Sequence, residues 1–330
     1  MGKLQLSLGC AGYDRTRALF DGRVQIDGVD LVPSAIEPEE AFHRAFKFCE
    51  FDISEISMSS QTMMTSRGEN DYVCVPAFLS RVFRQSGIYV RTDRGIELPE
   101  DLRGKKIGLP EYQITANVWI RGILQEEYGV KPEEIHWRRG GVEEPGRGER
   151  APIRLPQGID LQQVPDDRTL SGMLEAGELD GVIGARAPSC FLRGAPNVGR
   201  LFRDYHEAEQ DYFKRTGIFP IMHMVGIRKT LVEKHPWLPV NVYKAFLEAK
   251  STAVRDLNEI CHLMVTLPWV VHDFNEARAL MGDDYWPYGF NENRKVLETF
   301  TRYHHEQGLS ARKVAPEELF TASTLDLSKI

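Results

Sequence analysis

The chain of 330 residues has few cysteines, and the five present, Cys10, Cys49, Cys74, Cys190 and Cys261, are scattered with no C-x-x-C spacing. That scatter excludes a disulfide framework and a cysteine-based zinc site, and it suits thiols kept reduced in a cytoplasmic compartment. Long apolar runs are also missing. No segment approaches the roughly 18 consecutive apolar residues that cross a bilayer, so no membrane association is expected. Excess positive charge is absent as well: the formal net charge is -7. This argues against nucleic acid as a partner, because phosphate binding depends on clustered Lys and Arg. The opening Met1-Gly2-Lys3-Leu4-Gln5-Leu6-Ser7-Leu8-Gly9 has one lysine and no run long enough for the core of a secretory signal. His304-His305, His262 and His272 lack a surrounding ligand pattern, and no metal is expected.

The remaining composition is that of a globular protein, with 42% apolar and 27% charged residues, which excludes extensive disorder. Single cores stop growing at about 250 to 300 residues, so two lobes or one large domain fit this length. Nothing sets the oligomeric state, and a homo-oligomer is compatible with the sequence. Arg81, Arg84, Arg91 and Arg94 form one local basic cluster, which is a solvated face on a surface and an anion attractor in a cleft.

Alternation over Leu4–Leu8 predicts a strand, followed by the turn Gly9-Cys10-Ala11-Gly12 and a helix over Thr16–Phe20. A second strand is expected over Val29–Ala35. From Glu39 to Cys49, Ala41, Phe42, Ala45, Phe46 and Cys49 share one face, giving an amphipathic helix. Phe51–Ser57 then reads as a strand opening into Met58-Ser59-Ser60-Gln61, where hydroxyls can cap the next helix. The pattern restarts after Arg91: a strand over Asp101–Pro110, a helix over Thr115–Tyr128, a helix over Thr169–Ala176 and a strand over Leu179–Arg186. Arg138–Gly158, rich in Gly, Pro, Arg and Glu, is read as a lid or an edge hairpin. A strand over residues 216–228 precedes long helices over Val240–Leu257 and Asn291–Gln307.

Strand and helix in alternation imply an α/β fold with mainly parallel sheets, whose ligands lie outside the carboxyl ends of the strands. Two such units with helices returning at the end resemble the type II periplasmic-binding-protein architecture. That resemblance implies two lobes, each a mainly parallel sheet flanked by helices, with the ligand cleft between them and chain crossings near Val90 and Tyr212. Residues 1–90 and 212–330 would form lobe 1, and residues 91–211 lobe 2.

The run Thr216-Gly217-Ile218-Phe219-Pro220-Ile221-Met222-His223-Met224-Val225-Gly226-Ile227 places a lone histidine in an apolar strand. An imidazole buried there costs about 1 to 3 kcal/mol unless it finds hydrogen-bond partners. A satisfied core histidine is the bland alternative to a functional one.

More specific resemblance comes from several segments taken in order. They are Ser54-Glu55-Ile56-Ser57-Met58-Ser59-Ser60, Pro76-Ala77-Phe78-Leu79-Ser80-Arg81-Val82-Phe83-Arg84, Thr115-Ala116 with Trp119-Ile120-Arg121-Gly122, Gly217 to His223, and Tyr288-Gly289 with Asn291. Together they resemble the 4,5-dihydroxyphthalate decarboxylase family across almost the whole chain. The resemblance implies non-oxidative removal of a carboxylate from a small aromatic acid, most directly 4,5-dihydroxyphthalate to protocatechuate and carbon dioxide.

Direct loss of carbon dioxide from an arene leaves a very basic aryl anion, which protonating the ring carbon first avoids. A hydroxyl para to the departing carboxylate supplies the electrons, so no organic cofactor is required. The protein must supply an acid, a hydrogen-bond acceptor for the phenol, and cations for the carboxylate that stays. His223 is the candidate acid, since its ordinary pKa suits proton transfer near neutrality. Glu55 is the first candidate phenol acceptor, with Glu111 and Asp14 behind it, because a glutamate inside an apolar strand must be paired.

Arg81 and Arg84 are assigned to the spectator carboxylate; they share a face if their segment is helical and oppose each other if it is extended. Ser59 and Ser60 follow a strand end where hydroxyls and N–H groups bind carboxylates, or simply cap a helix. Gln113 and Thr115 hold the equivalent junction of the second unit, and Arg186 is a further anion candidate. Phe219, with Tyr13, Trp286 and Tyr288, is a candidate for stacking on the ring. Two other functions use the same features: a solute-binding protein for an organic anion, and a chorismate dehydratase-like lyase.

Overall fold

The computed structural model describes residues 2–149 and 151–327. The chain divides into two units: the described residues up to Arg81, Ile221–Glu298 and Val314 onward form unit 1, and Val82–Pro220 with Thr299–Lys313 forms unit 2. Unit 1 begins with β1 (Leu4–Cys10), α1 (Asp14–Phe20), β2 (Val29–Ala35), α2 (Pro38–Phe48), β3 (Ile53–Ser57), α3 (Met58–Arg67) and β4 (Tyr72–Arg81). Unit 2 takes β5 (Ile88–Arg91), β6 (Lys106–Leu109), α4 (Thr115–Tyr128), β7 (His136–Arg139), β8 (Asp160–Gln163), α5 (Leu170–Glu175), β9 (Gly181–Ile183), α6 (Ser189–Leu192), β10 (Val198–Arg200) and α7 (Tyr205–Thr216). β11 (Ile221–Arg228) returns to unit 1, followed by α8 (Lys229–Lys234), α9 (Leu238–Leu257) and α10 (Val270–Met281), while α11 (Arg294–Glu306) carries residues of both units.

The sheet of unit 1 has the order β2-β1-β3-β11-β4, and that of unit 2 the order β10-β5-β9-β6-β7-β8. In each sheet a single strand runs against the others, β11 in the first and β5 in the second. Each is the first strand after the chain enters that unit. The reversal matters for the site, because β11 brings its amino end to the edge where its neighbours end.

In unit 1, Leu8, Ile53, Ile56, Val75, Ala77, Met224, Val225 and Ile227 are buried in the sheet core. Close strand packing requires Gly226 in β11: a Cβ there would stand 2.6 Å from Ile56 Cγ1. In unit 2, Leu170, Leu174, Leu179 and Val182 pack together beside Tyr89 and Val164.

The crossings differ from the expected positions. β5, which contains Val90, pairs with β9 and β10, so the chain leaves unit 1 at Arg81 rather than near Val90. Tyr212 lies within α7, and the return comes at Ile221. Thr299–Lys313 also belongs to unit 2, not to the first lobe. The connection from Arg138 to Gly158 is not a hairpin. β7 and β8 pair in parallel, His136 opposite Asp160 and Arg139 opposite Gln163, and parallel neighbours need a crossover. Within that connection Arg150 lies outside the described residues.

Candidate active site

All five residues of β3 are buried, and Glu55 in its middle is 0% exposed. An ionised carboxylate at such a place is costly unless hydrogen-bonded, and the strand order supplies donors from both sides. On one side the loop after β1 gives the Ala11 N–H, 3.0 Å from Glu55 Oε2, and the Tyr13 hydroxyl, 2.8 Å from Oε1. On the other side β11 gives His223, whose Nδ1 lies 2.6 Å from Oε1. Burial alone would raise the Glu55 carboxyl; the hydrogen bond and charge of His223, with the bonds from Ala11 and Tyr13, outweigh it and hold the group below the usual carboxylate range.

An ionised Glu55 fixes the histidine tautomer, since a carboxylate only accepts and Nδ1 must carry the proton. A depressed folded-state pKa stabilises the protein fully above the ordinary carboxylate value of about 4.3 and loses that contribution as pH falls through the lower folded value. Unfolding free energy is therefore expected to fall below about pH 4.3 more steeply in the parent than in Glu55→Gln. Equal slopes in denaturant titrations of both proteins would remove Glu55 from the acid response.

The antiparallel register sets His223 opposite Ser57 and Val225 opposite Glu55, so the pair is a diagonal one on the same face. On its other side β11 is irregular at this point: the register with β4 shifts on either side of His223, which faces Ser80. Such bulges re-aim a side chain. The His223 ring meets Phe42 of α2 edge-on, with centroids 4.7 Å apart and planes at 75°. Nε2 makes no hydrogen bond among the described residues, and 18% of the side chain is exposed. The histidine thus finds the hydrogen-bond partner that its apolar strand demanded, Nδ1 against a buried carboxylate, while the side chain stays partly exposed.

Both Glu55 oxygens are already hydrogen-bonded, Oε2 to the Ala11 N–H and Oε1 to Tyr13 and His223, whereas the sequence suggested a phenol as their partner. Burial, then the charge of Glu55 and the bond to it, pushes the Tyr13 hydroxyl well above its ordinary pKa, and Tyr13 stays a donor. Cys10, at the end of β1, is fully buried with its thiol raised by burial and by Glu55.

Arg81 and Arg84 do not form a pair. Arg81 ends β4 in unit 1 and Arg84 lies in unit 2. The Arg81 guanidinium is buried and donates to the Pro287 carbonyl, 2.8 Å away, and to Asn293 Oδ1. Burial lowers Arg81 to about 9 and Arg84 to about 10, both still cationic near neutrality. Ser57, not Ser59 or Ser60, caps α3: its Oγ accepts from the Ser60 N–H at 3.4 Å, and Ser59 is buried.

In unit 2, Gln113 Nε2 donates to Glu111 Oε2 at 3.2 Å, and Glu111 is ion-paired with Arg147 at 2.6 Å. The Tyr112 and Gln113 N–H groups donate to Glu149 at 2.5 and 3.5 Å. Thr115 starts α4 and is buried, Arg186 is exposed beyond β9, and Phe219 stacks on Phe83 at 4.5 Å. Asp14 pairs with Arg15 at 3.0 Å.

Sequence reasoning missed Arg15. It sits in the first turn of α1, one turn before the apolar pattern begins, with its guanidinium 4.1 Å from the Tyr13 ring centroid and 4.4 Å from that of Trp286. His272, Asp273 and Glu276 on α10 bring ligand-type atoms within 4.8 Å of one another, but the first two are exposed and none belongs to the His223 group. No helix among the described residues is long and apolar enough to cross a membrane.

No family model matches the chain. The 4,5-dihydroxyphthalate decarboxylase of Comamonas testosteroni, however, is 51% identical over 330 residues, all of both chains. The chain belongs to the 4,5-dihydroxyphthalate decarboxylase family. A second member of that family, the 4,5-dihydroxyphthalate decarboxylase of Pseudomonas putida, is 50% identical over 214 residues, covering 65% of this chain and 83% of its own.

Solved structures bear on the fold of this chain. A sulfonate-binding protein SsuA from Methylobacillus flagellatus superimposes with TM-score 0.55 at 13% identity, covering 97% of this chain and 92% of the other. The periplasmic aliphatic sulphonate binding protein SsuA of Escherichia coli gives 0.53 at 12%, with 97% and 98% covered. The decarboxylase family chain therefore has the periplasmic-binding-protein-like α/β fold expected from its sequence.

Proposed function

We propose that this chain is a carboxy-lyase that converts 4,5-dihydroxyphthalate into protocatechuate and carbon dioxide, with His223 as proton donor. The observation that carries the reading is the accessible Nε2 of a histidine whose Nδ1 is held by a buried carboxylate, in a chain 51% identical to a named decarboxylase.

In this reading each group has a task. Glu55 holds Nδ1 of His223 and orients its ring, and the Nε2–H is the acid. The proton passes from Nε2 to the ring carbon that bears the departing carboxylate, while the para hydroxyl supplies the electron pair and becomes carbonyl-like. The bond to the carboxylate carbon then breaks, its electrons restore the aromatic ring, and carbon dioxide leaves. Water returns a proton to Nε2. No step calls on an organic cofactor, and Glu55 acts through His223 as a positioning residue. The scattered cysteines suit a cytoplasmic location, which is part of this reading.

Incubating the protein with 4,5-dihydroxyphthalate, without added metal or nucleotide, is expected to release carbon dioxide and protocatechuate in equal amounts. Tight reversible binding of the acid without turnover would instead indicate an organic-anion receptor.

A further inference from the structure

We infer that Arg15 binds the carboxylate that stays on the ring, the role that sequence reasoning gave to Arg81 and Arg84. This rests on the decarboxylase reading above. The substrate's two carboxylates are on adjacent ring carbons, so the cation for the spectator must stand beside the proton donor. Arg81 is buried on Pro287 and Asn293, and Arg84 is buried as well.

Arg15 is tied to His223 from two directions. Its Nε donates to the Leu79 carbonyl at 2.6 Å, and the next residue, Ser80, is the β4 partner of His223. Its guanidinium also lies over the Tyr13 ring at 4.1 Å, and the Tyr13 hydroxyl shares Glu55 Oε1 with His223 Nδ1. Trp286, whose indole N–H is anchored on the Phe78 carbonyl at 2.8 Å, contributes a second ring at 4.4 Å from the guanidinium.

Held in this way, the fork has little rotamer freedom left to lose on binding. Asp14 takes one edge through Nη1 at 3.0 Å, whereas Nη2 makes no hydrogen bond among the described residues and the side chain is 16% exposed. A guanidinium with its ring contacts made and N–H donors still available suits a planar carboxylate. Because the spectator group keeps its charge throughout, the contact positions the ring without opposing loss of the other carboxylate.

The test is calorimetric binding of phthalate, which carries both carboxylates but lacks the hydroxyls needed for reaction, with catechol as the ligand that lacks carboxylates. Arg15→Gln is expected to weaken phthalate by about 30-fold or more and catechol by less than about threefold, with Arg15→Lys recovering part of the phthalate affinity. Equal losses for both ligands, or phthalate affinity unchanged, would overturn the role. Turnover of 4,5-dihydroxyphthalate by the unmodified protein, assayed in the same preparation, separates the two readings. Its absence overturns the decarboxylase reading, whereas normal turnover with unchanged phthalate affinity in Arg15→Gln overturns only the part played by Arg15.

Discussion

Replacing His223 by asparagine is expected to lower kcat for 4,5-dihydroxyphthalate by about 10²- to 10⁴-fold, the range that a positioned general acid contributes. Asparagine is the informative substitution because its amide N–H can take the place of Nδ1–H against Glu55, so the buried carboxylate keeps a donor while the acid at Nε2 is lost. KM should change far less than kcat, since the proton moves only in the transition state. Activity within about threefold of the parent would remove His223 from the proton transfer. His223→Ala is the poorer test: it leaves Glu55 with two donors instead of three and adds a stability cost to the kinetic one.

The second large effect belongs to Glu55. Three donors converge on its two oxygens, and a glutamine in its place has one acceptor to offer. With that oxygen toward Ala11, the amide N–H faces His223 and forces Nδ1 to accept, which places the remaining proton on Nε2 of a neutral ring. With the oxygen toward His223, the amide N–H opposes the Ala11 N–H. Either arrangement removes the carboxylate that holds His223 Nδ1 and orients its ring. We therefore expect Glu55→Gln to lower kcat by about 10²- to 10⁴-fold, comparable to the loss when the buried carboxylate of a catalytic triad is made neutral. The signature that separates this from misfolding is the split between kcat and KM: KM should stay within about threefold of the parent while kcat falls, because the loss lies in the proton transfer. Losses shared equally by kcat and KM would point to a structural role alone.

Local structure was readable where a pattern was strong. The β2 span and the α4 span emerge from the sequence with the bounds observed, and α2, α9 and α11 shift by only a few residues, as helix ends do. The need to pair Glu55 was also readable, because an apolar strand leaves an ionised side chain no solvent. Its partner was not. His223 lies 168 residues away, and only the antiparallel register of β3 with β11 sets the two on one face. The same long-range pairing misled the domain boundary: β5 looks like a continuation of the first unit until its partners β9 and β10 are known. Arg81 and Arg84 looked like neighbours because they are three apart in sequence, yet the chain leaves β4 between them. Arg15 gave no signal at all, since its environment is assembled from Tyr13, Leu79 and Trp286.

Proton transfer depends on one distance, that between His223 Nε2 and the ring carbon bearing a carboxylate. A crystal structure of the protein with phthalate bound measures it directly. Nε2 is expected about 3 to 3.5 Å from that carbon and directed at the ring face, the separation of a near-attack geometry. Nε2 hydrogen-bonded to a carboxylate oxygen in the ring plane, with the ring carbon out of reach, would contradict it.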